Sequence, residues 1–166
     1  MDADLLAELY RQYYPAAYVY CLTLCGDEHL AQDITADAFV KAYLSLPNDI
    51  PSFRYWLLRV CKNLWIDILR RRQHETTDEP LQYLSDPSTP ENIYLKNERS
   101  LALWSAVASL PPLDRELVTL HYISGVPLQE AARLMNKSYP SVRQRMSRLR
   151  RILKQQLEEQ DYGIEL

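Results

Sequence analysis

Apolar residues recur along this chain at spacings of three and four, and β-branched residues rarely alternate with polar ones, which predicts helices and no sheet. Leu5, Leu6, Leu9, Tyr13 and Ala17 form a first stripe, so Asp4 to Cys25 reads as a helix that Pro15 bends or divides. Gly26 ends it and Asp27 caps a second helix reaching Leu46, with Leu30, Ile34 and Ala38 facing inward. After a short loop, Ser52 caps a third helix whose core stripe is Phe53, Trp56, Leu57, Val60, Leu64 and Ile68, and which runs out in Arg70-Arg71-Arg72. His74 to Asn92 has three prolines, five acids and little periodicity, the pattern of a flexible linker. Leu95 to Leu110 is again helical, Pro111-Pro112 interrupts it, and Asp114 caps a helix through about Tyr122.

The last segment is the most specific. Leu128, Ala131, Ala132 and Met135 share one helical face, and Asn136-Lys137-Ser138 breaks the pattern. Ser138 caps a new helix, and Pro140 fits in its first turn. Val142, Met146, Leu149 and Leu153 continue the apolar seam, while Arg143, Arg145, Arg148, Arg150, Arg151 and Lys154 cover the rest. No acid lies between Lys137 and Leu157. A solvated helix face usually mixes both signs, so this pattern points to a helix-turn-helix whose second helix meets DNA.

With 166 residues, 47% hydrophobic content and only 3 glycines, the expected class is all-α, as two small bundles joined by the acidic linker. A net charge of −3 does not suggest a nucleic-acid binder, but its distribution does. Residues 54–72 hold 6 bases and 1 acid, and residues 137–154 hold 7 bases and no acid. Residues 1–50 hold 8 acids against 2 bases, and residues 73–93 hold 5 acids without Lys or Arg. Two basic blocks set between acidic ones imply two DNA contacts. The acidic start is unlike a secretory signal, and no apolar run has membrane-spanning length, so a cytoplasmic protein with reduced cysteines is expected, without membrane insertion. Cys21, Cys25 and His29 are spaced like half a metal site, but Gly26 intervenes and no fourth ligand is evident. No metal, no cofactor and no catalytic constellation is expected, so the chain reads as no enzyme.

Taken in order, these landmarks resemble the extracytoplasmic-function group of bacterial sigma factors over nearly the whole chain. The matching pieces are Tyr10-Arg11-Gln12-Tyr13-Tyr14-Pro15, Gly26-Asp27, Asp33 to Phe39, Phe53-Arg54-Tyr55-Trp56-Leu57 and Asn63 to Arg71. Leu110 to Glu116, Gln129-Glu130-Ala131-Ala132 and Val142-Arg143-Gln144-Arg145 complete them. The resemblance implies a non-catalytic factor that binds core RNA polymerase and places it on promoter DNA. Residues 1–73 would form sigma domain 2, residues 74–92 the linker, and residues 93–166 sigma domain 4, with no long further domain after Leu166.

The resemblance also implies roles. Asp33, Asp37 and Phe39 would dock on core polymerase, although an acidic helix can also be merely solvated. Asn48 and Asp49 in the loop, with Phe53, would hold a base flipped from the minus-10 element, although the same loop can be a plain connector. Asn63, Asp67, Arg70 and Arg71 would contact minus-10 DNA, with Asp67 either there or orienting a neighbouring arginine. Ser141, Arg143, Gln144, Arg145, Arg148 and Arg151 would contact the minus-35 element, Gln144 and Arg145 reading bases and Arg151 holding phosphate. An anti-sigma protein is a further partner the resemblance allows. Tyr139 and Pro140 depart from the small residues usual in that turn, so base preference cannot be borrowed from relatives. The alternative is a stand-alone helix-turn-helix regulator with an N-terminal sensor or dimerisation bundle, which the arginines ending the third helix disfavour.

Overall fold

The computed structural model describes residues 2–45, 53–75 and 98–159, with side chains in the last stretch from Ala102 onward. All described elements are helical, and the chain divides into two compact units, residues 1–88 and 89–166. The expected linker between the bundles lies mostly outside the described residues, as does the loop holding Asn48, Asp49 and Ser52.

The first unit contains α1 (Ala3–Cys25), α2 (Glu28–Ser45) and α3 (Phe53–Glu75). Asp2 starts α1 by accepting from the Asp4 amide at 3.3 Å. Gly26 ends it in the left-handed region, φ 68°, where only glycine escapes a Cβ clash, and its amide reaches the Leu22 carbonyl at 2.8 Å. Asp27 then caps α2, its Oδ1 accepting from the Leu30 amide at 3.0 Å. Pro15 does not divide α1, which runs on as one helix. A mid-helix proline costs about 3 kcal/mol. The nine residues Ala17 to Cys25 are all buried, and a single buried large apolar side chain offsets about 1.5–3 kcal/mol of such a cost.

The core stripe of α3 is rotated from the expected one. Phe53, Leu57, Leu58, Cys61 and Trp65 are buried, whereas Trp56, Val60, Leu64 and Ile68 are only half-buried. Apolar residues cover a wide arc of this helix, and an aromatic cluster selects which part faces inward. Phe53 meets Tyr13 at 5.2 Å, Phe39 at 6.3 Å and Trp56 at 6.1 Å between ring centres, and Phe39 also meets Tyr10 at 4.9 Å.

The second unit contains α4 (Glu98–Ala108), α5 (Pro112–Val118), a π-helical turn (Thr119–Ile123), α6 (Leu128–Leu134) and α7 (Tyr139–Glu159). Pro112 begins α5, where a missing amide hydrogen costs nothing. Asp114 therefore lies inside the first turn of α5 and does not cap it. Arg115 secures the preceding corner by donating to the Leu110 carbonyl at 3.1 Å. The Ser124 amide bonds the Thr119 carbonyl at 2.9 Å, the wider bond that makes the following turn π-helical.

Candidate nucleic-acid interface

The turn between α6 and α7 is built by backbone chemistry. Asn136 takes a left-handed conformation, φ 54°. The Lys137 amide donates to the Ala132 carbonyl at 2.9 Å and the Asn136 amide to the Arg133 carbonyl at 3.2 Å. These two bonds make a Schellman ending for α6, with Asn where glycine is commoner. Ser138 caps α7 as expected, its hydroxyl accepting from the Ser141 amide at 3.3 Å. Val142, Met146, Leu149, Leu153 and Leu157 are buried and seat α7 in the unit.

Opposite that seam, at a step of about 100° per residue, stand Pro140, Gln144, Ser147 and Arg151. All four are exposed, with Ser141 and Arg148 on one shoulder and Arg143 and Lys154 on the other. The side chains of Tyr139 to Ser141, Arg143 to Arg145, Ser147, Arg148 and Arg151 border a shallow, solvent-open groove along this one helix. All six residues expected to meet minus-35 DNA line it. Of the two expected base readers, Gln144 lies in the outward stripe and Arg145 does not.

Arg145 differs most from its expected place. Its guanidinium bonds the Asp114 carboxylate at 2.6 Å, with its side chain 34% exposed and that of Asp114 10% exposed. Arg150 donates from Nε to the Tyr122 hydroxyl at 2.8 Å. Both arginines are held from behind by α5 and the π turn, because a half-buried guanidinium keeps a fixed partner. His121 lies with Nδ1 2.9 Å from the Val126 carbonyl oxygen, where an Nδ1–H can donate. Asp114 and Tyr122 were missed as positioning residues, because no sequence spacing joins residues 31 and 28 apart.

In the first unit, Asn63, Asp67, Arg70 and Arg71 are all exposed on α3. Asp67 pairs with Arg70 at 3.7 Å, an open surface contact worth little by itself. Arg72 lies 5.9 Å over the Trp65 ring. On α2, Asp33 and Asp37 are exposed, but Phe39 is 5% exposed and belongs to the aromatic core. The apolar companions that α2 does present are Val40, Tyr43 and Leu44, exposed to 55%, 50% and 74%. Phe53, expected to line a base pocket, is 2% exposed and also core. Asn48 and Asp49 lie outside the described residues.

The three cysteines are buried free thiols, and His29 is exposed. Burial pushes the Cys25 thiol up to about 11. The Cys61 thiol is raised first by a hydrogen bond with the Cys21 thiol and then by burial. Such thiols are poor metal ligands and poor nucleophiles. Among the described residues no helix is long and apolar enough to cross a membrane, and no group of three metal-ligating side chains lies together.

The described residues thus form two helical units, one ending its third helix in arginines and the other carrying a helix-turn-helix whose second helix has no acid before Glu158. Residues 9–75 match the Sigma-70 region 2 family and residues 100–153 the Sigma-70 region 4 family. The chain is 33% identical to the ECF RNA polymerase sigma factor SigE of Mycolicibacterium smegmatis, over 90% of this chain and 60% of that protein. It is 30% identical to the ECF RNA polymerase sigma factor SigW of Bacillus subtilis, over 94% of this chain and 90% of that one. In structure it is similar to the sigma factor RpoE of Bartonella quintana, solved with the anti-sigma factor NepR, with a TM-score of 0.61 at 21% identity over 95% and 98% of the two chains. The chain belongs to the extracytoplasmic-function group of RNA polymerase sigma factors. A stand-alone regulator with a sensor bundle is not favoured, since its N-terminal unit is itself sigma region 2.

Proposed function

We propose that this chain binds core RNA polymerase in the cytoplasm and directs it to promoters, without itself catalysing a reaction. Residues 1–73 serve as the domain that docks on polymerase and handles the minus-10 element. Residues 74–92 connect, and residues 93–166 read the minus-35 element. The observation that carries this is the presence of one exposed basic surface in each unit, beside an α2 face that pairs Asp33 and Asp37 with exposed Val40, Tyr43 and Leu44. An acidic face with apolar neighbours suits a basic, partly apolar docking surface.

Asn63, Arg70 and Arg71 meet minus-10 DNA, with Asp67 orienting Arg70 rather than touching phosphate. Asn48 and Asp49 contact a flipped base. Gln144, Ser141 and Arg148 reach base edges of the minus-35 element, and Arg143, Arg151 and Lys154 hold its phosphates. Arg145 acts mainly as a strut on Asp114. An anti-sigma protein, the partner of the Bartonella relative, is a partner class we extend to this chain. The test is run-off transcription from a pool of genomic promoters, with purified core polymerase alone and with the chain added. New transcripts starting at defined sites only in its presence are expected. Binding to those DNA sites without any effect on initiation would return the protein to the simple-regulator class.

A further inference from the structure

The start of α7 carries something a phosphate-binding surface does not need. Tyr139 and Pro140 open the helix, both are exposed, and Tyr139 is exposed to 40%. They border the groove whose other lining residues are Ser141, Arg143, Gln144, Arg145, Ser147, Arg148 and Arg151, all polar or cationic. Their backbone is held on both sides, by the Ser138 cap and by the two bonds closing the turn at Asn136. A fixed apolar edge on a DNA-facing groove calls for an apolar feature on the DNA. The base edges of the major groove offer one, the C5-methyl of thymine. Residues of the first turn of a recognition helix are the ones that come closest to base edges.

The ion pair of Arg145 sharpens the point. With its guanidinium drawn onto Asp114 at 2.6 Å, Arg145 is engaged elsewhere. Near the helix start this leaves Ser141 and Gln144, the latter one helical turn after Pro140 and with an amide that matches the N6 and N7 atoms of adenine. Every adenine in the duplex faces a thymine, so both chemistries are offered by A·T pairs. We propose that Tyr139 and Pro140 form an apolar contact for a thymine C5-methyl in the minus-35 element and so help set which promoters this chain selects. The inference rests on α7 being the helix that reads that element.

The experiment assembles the full chain with core RNA polymerase and selects from duplexes randomised across the upstream element. Each enriched thymine is then replaced by deoxyuridine, which keeps the base pair and removes only the methyl. Wild type is expected to lose occupancy about fourfold at one such position, the factor for withdrawing one methyl-sized group from an apolar contact. Tyr139→Ala, alone or with Pro140→Ala, should abolish that loss, and Tyr139→Phe should keep it. A wild type indifferent to deoxyuridine everywhere overturns the inference, as does a penalty that persists in the double variant. Tyr139→Phe behaving like Tyr139→Ala overturns it too, because the hydroxyl and not the ring would then make the contact. Gln144→Ala and Arg151→Ala report on the underlying reading. If both select and bind as wild type does, α7 is not the reading helix and the inference falls with it. If either weakens binding while the deoxyuridine outcome fails, only the inference falls.

Discussion

Asp114 and Arg145 show how one residue changes its meaning once its neighbour is known. Viewed along the chain, Asp114 is a helix cap and Arg145 a base reader. In the folded unit they are one ion pair, with the acid 10% and the base 34% exposed in their side chains. Removing the acid leaves a half-buried guanidinium without its strongest acceptor. Asp114→Ala is expected to cost about 1.5–3 kcal/mol in urea unfolding, the range for hydrogen bonds to charged groups. Asp114→Asn, which keeps one acceptor oxygen, should cost less. Arg145→Ala should destabilise about as much as Asp114→Ala, and the double variant little more than either, as residues sharing one interaction are non-additive. Fully additive costs would mean that the pair does not couple α5 to α7.

At the scale of elements, the turn between α6 and α7 depends on a single left-handed residue. Asn136 sits at φ 54° and its Schellman bonds aim the recognition helix. Asn136→Ala adds a Cβ that this conformation tolerates less well, and a loss of about 1 kcal/mol is expected by thermal unfolding. Asn136→Gly should be neutral or slightly stabilising, since glycine adopts the region freely. An Ala variant as stable as wild type would show that the turn relaxes to another conformation. The α3 helix teaches a related lesson. Its helical character was legible, but its inward face was not, because Trp56, Val60, Leu64 and Ile68 are as apolar and as regularly spaced as the true core residues. The cluster of Tyr13, Phe39 and Phe53, gathered from three helices, decides the rotation.

For the whole molecule, the correction at Phe39 moves the expected polymerase contact along α2. Asp33 and Asp37 remain exposed, and Val40, Tyr43 and Leu44 supply the apolar part. Replacing both aspartates with Lys should weaken core binding roughly tenfold or more in a pull-down titration at moderate salt, because like charges across a steered interface oppose encounter. Leu44→Ser should weaken it without changing its salt dependence, and both variants should keep wild-type helicity. Normal binding by both would remove α2 as the docking element. Phe39→Ala is expected to act differently, through stability, at about 3–5 kcal/mol for an emptied aromatic core site.

Periodicity, glycine and proline placement and the sorting of charge were enough to establish an all-helical class, the caps at Asp27 and Ser138, the break at Pro111-Pro112 and a final helix without an acid before Glu158. These are local properties, set by backbone sterics and by neighbours three or four residues away. The exposed state of Asn63, Asp67, Arg70 and Arg71 and the basic outer face of α7 also followed from them. The tertiary structure alone decided which apolar arc of α3 turns inward, that Phe39 and Phe53 are core, and that Arg145 and Arg150 are tied to Asp114 and Tyr122. Each depends on side chains far apart in sequence meeting in space, and the free energy of burying a ring or pairing a guanidinium exists only once those helices have packed.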